Sequence, residues 1–148
     1  MKTNPTYLSL GYDEAVMNHL QGLLTDSLIT TGHVEQAAII RRKDASLRAS
    51  SLGLSLDSDD LSMIVKLFRE PTILRSEGLQ LGTNGNVYDC LRADKNSIYG
   101  RVELDGPGII IVKTHTLIIL ALFSPPKHAS VCIEAVENFG DYFRDKGK

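Results

Sequence analysis

Four histidines, two cysteines and one crowded acidic stretch are the places where this 148-residue chain could do chemistry, and their spacing argues against it. His115 sits in Lys113-Thr-His-Thr116, between two apolar runs, with no Ser/Asp pair near it in sequence, so neither catalysis nor metal ligation is expected of it. His19 and His33 flank the first predicted helix and are expected at its surface or its cap. Asp57, Asp59 and Asp60 resemble half of a calcium loop, but the glycine and closing glutamate are missing and helix capping is expected instead. Gly82-Thr-Asn-Gly85 reads as a hairpin turn, because it lacks the strand-to-helix setting and the lysine of a phosphate loop. Cys90 and Cys132 lie in apolar or strand-like surroundings with no further Cys or close His to build a metal site. They are expected as reduced, partly buried thiols, with a disulfide left open. No catalytic residue, metal or cofactor is expected, and the chain does not read as an enzyme.

The densest charge cluster is Arg41-Arg42-Lys43, with Arg48 opposite on a returning strand. Such a patch could attract an acidic phospholipid surface at about 1 kcal/mol per charge. The alternative is a solvated strand end. A formal net charge of −2 argues against general nucleic-acid binding, which needs a surplus of Lys and Arg on one face. With 43% hydrophobic and 23% charged residues, the chain can bury one core and is not of disordered composition. The N-terminus carries no apolar signal region, and Lys2 stands where myristoylation needs glycine. Ile109–Phe123 is too short to cross a bilayer and is interrupted by Lys113 and His115. A soluble, cytoplasmic monomer is expected.

The elements that must position these residues follow from periodicity. Residues 1–11 read as a flexible extension, ahead of one domain over 12–148. Val16, Leu20, Leu23, Leu24 and Leu28 recur at helical spacing and predict a helix over Asp13–Ile29, ended by Thr30-Thr-Gly32. Ala37–Ile40 and Leu47–Ser50 predict two strands joined through Lys43–Ser46. Asp57 or Ser58 can cap a second helix carrying Leu61, Ile64, Val65 and Phe68, which Pro71 is expected to stop. Leu79–Leu81, Val87–Arg92, Ser97–Val102, Ile109–Val112 and Leu117–Phe123 then read as a meander of strands with short turns. Val131, Ala135, Phe139 and Tyr142 give a closing helix its expected core stripe. Short turns imply an antiparallel sheet, and near-continuous apolar strands need cover on both faces. The expected fold is α+β: a three-layer α/β/α sandwich with the terminal helices on one face and the middle helix on the other.

Several segments in register carry a family resemblance. Gln36-Ala-Ala-Ile-Ile40 with Lys43-Asp44, Glu70-Pro71, Gly78-Leu-Gln-Leu-Gly82, Gly108–Thr114 and Gly140-Asp-Tyr142 occur in the order and at the distances of the profilins. Within that family the chain is most similar to the divergent testis-type profilin-4 group, through His19-Leu-Gln21, Tyr88 and Cys90, Arg92-Ala-Asp94, Val112-Lys-Thr-His115 and Val131-Cys-Ile-Glu-Ala135. The resemblance covers about Asp13 to Lys148.

That resemblance implies a non-enzymatic protein that binds monomeric actin, poly-proline segments and acidic phospholipids. Lys66, Arg101 and His128 match actin-contact positions, and Glu137 falls near an acidic one. Glu103 stands where the family places a lysine, so weakened actin binding is expected. Lys66 and Arg101 read equally well as solvated surface charges. The poly-proline groove is expected weak or lost. Its first-helix Trp falls near Tyr12 and the companion Tyr near Ala15, the next Trp corresponds to Arg48, and the last aromatic position falls at Gly147. The remnant is Tyr12, Asp141 and Tyr142, and the chain has no Trp at all. Each lost ring contact costs about 1 kcal/mol.

Overall fold

The computed structural model describes the backbone of residues 5–81 and 85–148, together with their side chains except at 5–14, 73 and 74. Its helices are α1 (Pro5–Leu24), continued by a π-helical turn over Thr25–Ile29, then α2 (Ser58–Leu67), α3 (Pro71–Glu77) and α4 (Ala129–Asp145). The strands are β1 (Gln36–Arg41), β2 (Ser46–Ser50), β3 (Leu79–Gln80), β4 (Val87–Ala93), β5 (Ser97–Arg101), β6 (Gly108–Lys113) and β7 (Leu117–Phe123). They form one antiparallel sheet in the order β2-β1-β7-β6-β5-β4-β3.

The expected three layers are present, and strand parity builds them. Along β7, Leu117, Ile119, Ala121 and Phe123 face one way and Ile118, Leu120 and Leu122 the other. The first set packs with Leu20, Leu24 and Leu28 of the N-terminal helix and with Cys132, Val136, Phe139 and Phe143 of α4. The second packs with Ile64 and Leu67 of α2 and with Tyr88 of β4. All seven residues of β7 are buried, as a strand covered on both faces requires.

Local chemistry fixes the boundaries. Asp57 accepts a hydrogen bond from the Asp60 backbone N–H at 2.8 Å, and the Asp60 carboxylate accepts one from the Asp57 N–H at 3.2 Å, closing a reciprocal cap on α2. Asp57, of the two expected candidates, is the cap. Pro71 does not act as a stop: α2 ends at Leu67, and Pro71 opens α3, which the sequence reading did not assign. A proline fits the first helical position, where its missing N–H would have no intrahelical partner.

Two expectations about the terminal helices are corrected. The first helix begins at Pro5 rather than Asp13, so the boundary expected between residues 11 and 12 falls inside α1. The core stripe of α4 is also rotated by about one residue. Cys132, Val136, Phe139, Gly140 and Phe143 are buried, while Val131 is 47% and Tyr142 is 38% exposed. Gly140 explains the rotation. A Cβ there would lie 2.8 Å from Val112 Cγ1, so its bare backbone lets this side of the helix settle onto β6.

Candidate functional site

Arg101, His128 and Glu137 belong to the α4 side of the sheet, where α4 packs over β6 and β7 and side chains of β5 reach up to it. Tyr99 packs on the α4 side of the sheet, and Arg101, two residues on, has the same parity. The Arg101 guanidinium stands 5.6 Å from the centre of the Phe123 ring and donates through Nε to the Gly106 carbonyl at 2.9 Å. His128 is the N-terminal flanking residue of α4 and makes no side-chain cap bond. Its carbonyl accepts from the Cys132 N–H at 3.2 Å. Cys132 and Phe123, the ring beside Arg101, belong to one core cluster, which puts Arg101 and the first turn of α4 on the same layer.

Glu137 is engaged inside the molecule. Its Oε2 accepts from the Ser97 hydroxyl at 2.8 Å and from the Tyr99 hydroxyl. Burial, followed by the hydrogen bond to Glu137, pushes the Tyr99 phenol up to about 12. Arg92 lies 5.5 Å from the Tyr99 ring centre and bonds Asp94 through Nε at 2.9 Å. The bond to Asp94 also raises the Arg92 pKa. This seam of Ser97, Tyr99, Glu137 and Arg92 was invisible in the sequence, because β4, β5 and α4 meet only through the fold.

Lys66 does not join that side. It lies on α2, in the opposite layer, and pairs with Glu70 at 3.5 Å with both side chains more than half exposed. Pairs of this kind contribute about 0.3–0.5 kcal/mol. Glu103 sits in the turn after β5 with φ 54°, a left-handed conformation that non-glycine residues rarely adopt.

The groove between the N-terminal helix and α4 is a cleft of about 300 Å³ lined by Leu23, Ser27, His33, Ala135, Asn138, Phe139 and Tyr142. Its rings are few. Phe139 is buried, and Tyr142 stands edge-on to Phe143 with Lys146 Nζ 5.0 Å from its ring centre. Asp141 is not among the lining residues and pairs with Arg144 at 2.8 Å. The side chain of Tyr12 lies outside the described residues. Cys132 is buried, and its thiol, raised by burial, donates to the His33 carbonyl at 2.8 Å. Cys90 is partly buried and also free.

The basic cluster is regrouped by the fold. Arg41, Arg42 and Lys43 line a hollow of about 410 Å³ together with Arg69, Lys113 and His115, over a floor of Val65, Phe68 and Ile118. Arg48 is absent from it. It faces Met17, Asn18 and Gln21 of α1 in a separate depression, because it lies one residue beyond Leu47, which packs on the α2 side. Parity alone could have placed Lys113 in the hollow, since Ile109 and Ile111 point to the same layer. Nothing local marked Arg69.

Among the described residues no three His, Cys, Asp or Glu side chains gather as a metal site, and no helix is long and apolar enough to cross a membrane.

Comparison with known proteins accords with the fold. The sequence pattern that defines the family described as Profilin matches residues 18–148. Profilin-4 of Bos taurus is 42% identical over 132 residues, covering 88% of this chain and 99% of that protein. Profilin of Saccharomyces cerevisiae is 39% identical over 118 residues, covering 80% and 90%. Profilin IA of Acanthamoeba castellanii superposes with a TM-score of 0.79 at 30% identity, covering 86% of this chain and 98% of that one. The chain belongs to the profilin family, and it is a non-enzymatic binding protein.

Proposed function

We propose that this chain binds monomeric actin and regulates filament assembly in the cytoplasm, using the layer that Arg101 shares with the start of α4. The observation that carries the reading is family membership, joined to a cation held in place on that side. Arg101 is fixed by the Gly106 carbonyl and the Phe123 ring, so little side-chain entropy remains to be lost on docking. Proteins of the same fold have been solved bound to rabbit actin, the LokiProfilin complexes, at TM-scores of 0.68. His128 is the second contact. Glu137 is a positioning residue, since its carboxylate is already committed to Ser97 and Tyr99. Lys66, on the opposite layer, contributes only if the partner wraps round the molecule.

The test is the assembly of pyrene-labelled actin with and without the protein. A longer lag and a smaller filament yield are expected, and Arg101→Glu weakens the effect about tenfold or more. Glu103→Lys strengthens it. No change at roughly tens of micromolar protein overturns the reading.

Poly-proline binding is weak or absent in this proposal. Among the described residues the cleft between the terminal helices offers Tyr142 as its exposed ring, and the chain has no Trp. Two or three missing ring contacts at about 1 kcal/mol each lower affinity by one to two orders of magnitude. A proline decamer titration that gives ordinary profilin affinity refutes this.

A further inference from the structure

The hollow at the end of the sheet has the composition of an anion site. Its basic side chains come from three separate segments: Arg41–Lys43 at the end of β1, Arg69 after α2, and Lys113 at the end of β6, with the His115 imidazole beside it in the following turn. No carboxylate lines it. Asp44 pairs with Arg41 and offsets that one guanidinium at the rim, while Glu70 pairs with Lys66 outside the hollow, so the charges of Arg42, Lys43, Arg69 and Lys113 remain. An adjoining hollow of about 380 Å³ shares Arg42, Lys113 and His115 and adds Lys95 and Arg144, again with no acid in its lining. Positive charge is thus concentrated there in a protein whose net charge is −2.

Two of the cations are already oriented. Arg42 Nη1 donates to the carbonyls of Thr114 and His115 at 2.9 and 2.8 Å, which fixes the guanidinium at the junction of the two hollows. Its Nε and Nη2 have no hydrogen-bond partner among the described residues. They form the planar fork that suits phosphate oxygens. Lys113 Nζ stands 5.5 Å from the centre of the Phe68 ring. Burial, then the charges of Arg42 and Lys95, lower its pKa, as expected where cations are crowded without a counter-ion.

The hollow is concave, of single-molecule size, and half-floored by Phe68, Val65 and Ile118. A flat lipid surface would use the outer rim cations and leave that floor unfilled. A soluble ligand with several phosphate charges and a flat ring would use both. We propose that this hollow binds a nucleoside polyphosphate, with Arg42, Lys43, Arg69 and Lys113 holding the phosphates and the base lying against Phe68. This stands apart from the actin reading, since Arg101 and His128 are not part of the hollow.

The probes are ATP, pyrophosphate, adenosine and phosphatidylserine vesicles, titrated calorimetrically into the full chain at low salt. ATP is expected to bind more tightly than pyrophosphate, and adenosine not measurably. Lys113→Ser and the rim pair Lys43→Ser/Arg69→Ser each weaken ATP about tenfold, whereas Phe68→Leu weakens ATP but leaves pyrophosphate unchanged. The rim pair serves as the variant that makes no structural bond, and Arg92→Ser on the far side leaves binding intact. Vesicle binding without ATP binding, ATP binding unaffected by the rim pair, or no heat with ATP at about millimolar concentration each overturns the proposal.

Discussion

The cleft beside α4 and the hollow beside α2 sit on opposite layers of one sheet, and they differ in what holds them together. The cleft rests on tight aromatic packing. Phe139 and Phe143 meet edge-to-face at 5.0 Å, and Phe143 and Tyr142 at 5.3 Å. The hollow rests on one half-buried ring, Phe68, beside Val65 and Ile118, and on one guanidinium, Arg42, held by two backbone carbonyls. The first region is therefore bound up with stability more closely than the second.

Phe143→Ala should separate the regions most sharply. The side chain is 1% exposed, and its loss leaves a cavity beneath α4 that costs about 3–5 kcal/mol, measured as a lower urea midpoint. Phe68→Ala should cost about 1–2 kcal/mol by the same measurement, because the ring is only partly buried. Equal losses would mean the hollow is as much a part of the core as the cleft. Asp57→Ala removes the reciprocal cap of α2, the helix that walls the hollow, and should cost about 1 kcal/mol.

A pH experiment probes the α4 side. The Tyr99 phenol is raised above its ordinary value of 10.0 to about 12, so the folded protein holds this proton more tightly than the unfolded chain. Its contribution to stability is complete below about pH 10 and is lost as pH rises towards 12. One tyrosine should ionise late in an ultraviolet titration of the folded protein. Tyr99→Phe should remove that late step, and its persistence would assign it to another ring. The smallest effect is expected at Glu103, where glycine relieves a φ of 54° and should raise stability by up to about 1 kcal/mol. An unchanged midpoint would mean that the turn adapts without strain.

The legible part of the fold was the part governed by short-range pattern. The apolar alternation of β6 and β7 and the acids before α2 gave those elements nearly to the residue, since period and capping are local properties. Pro71 misled because a proline both ends and begins helices, and only the chain direction after it tells which. The expected stripe of α4 lies one residue away from the observed one because Val131 and Tyr142 share helical spacing with Phe139 as well as Cys132 and Phe143 do, and the contact through Gly140 is not local. Of the candidate site, Arg41–Lys43 was visible as a cluster, while the separation of Arg48 from it follows from the parity of β2.

The sequence by itself determined most of the strands, the capped second helix and the family resemblance, because each of these is written in neighbouring residues. Tertiary structure alone decided which charges meet. Pairing of Arg41 with Leu117 across β1 and β7 brings the basic cluster to His115, and the helix α2 adds Arg69. The seam of Glu137 with Tyr99 joins residues 38 positions apart. Charge on a chain of this kind is spread along the sequence, and only the closing of the sheet turns it into a site.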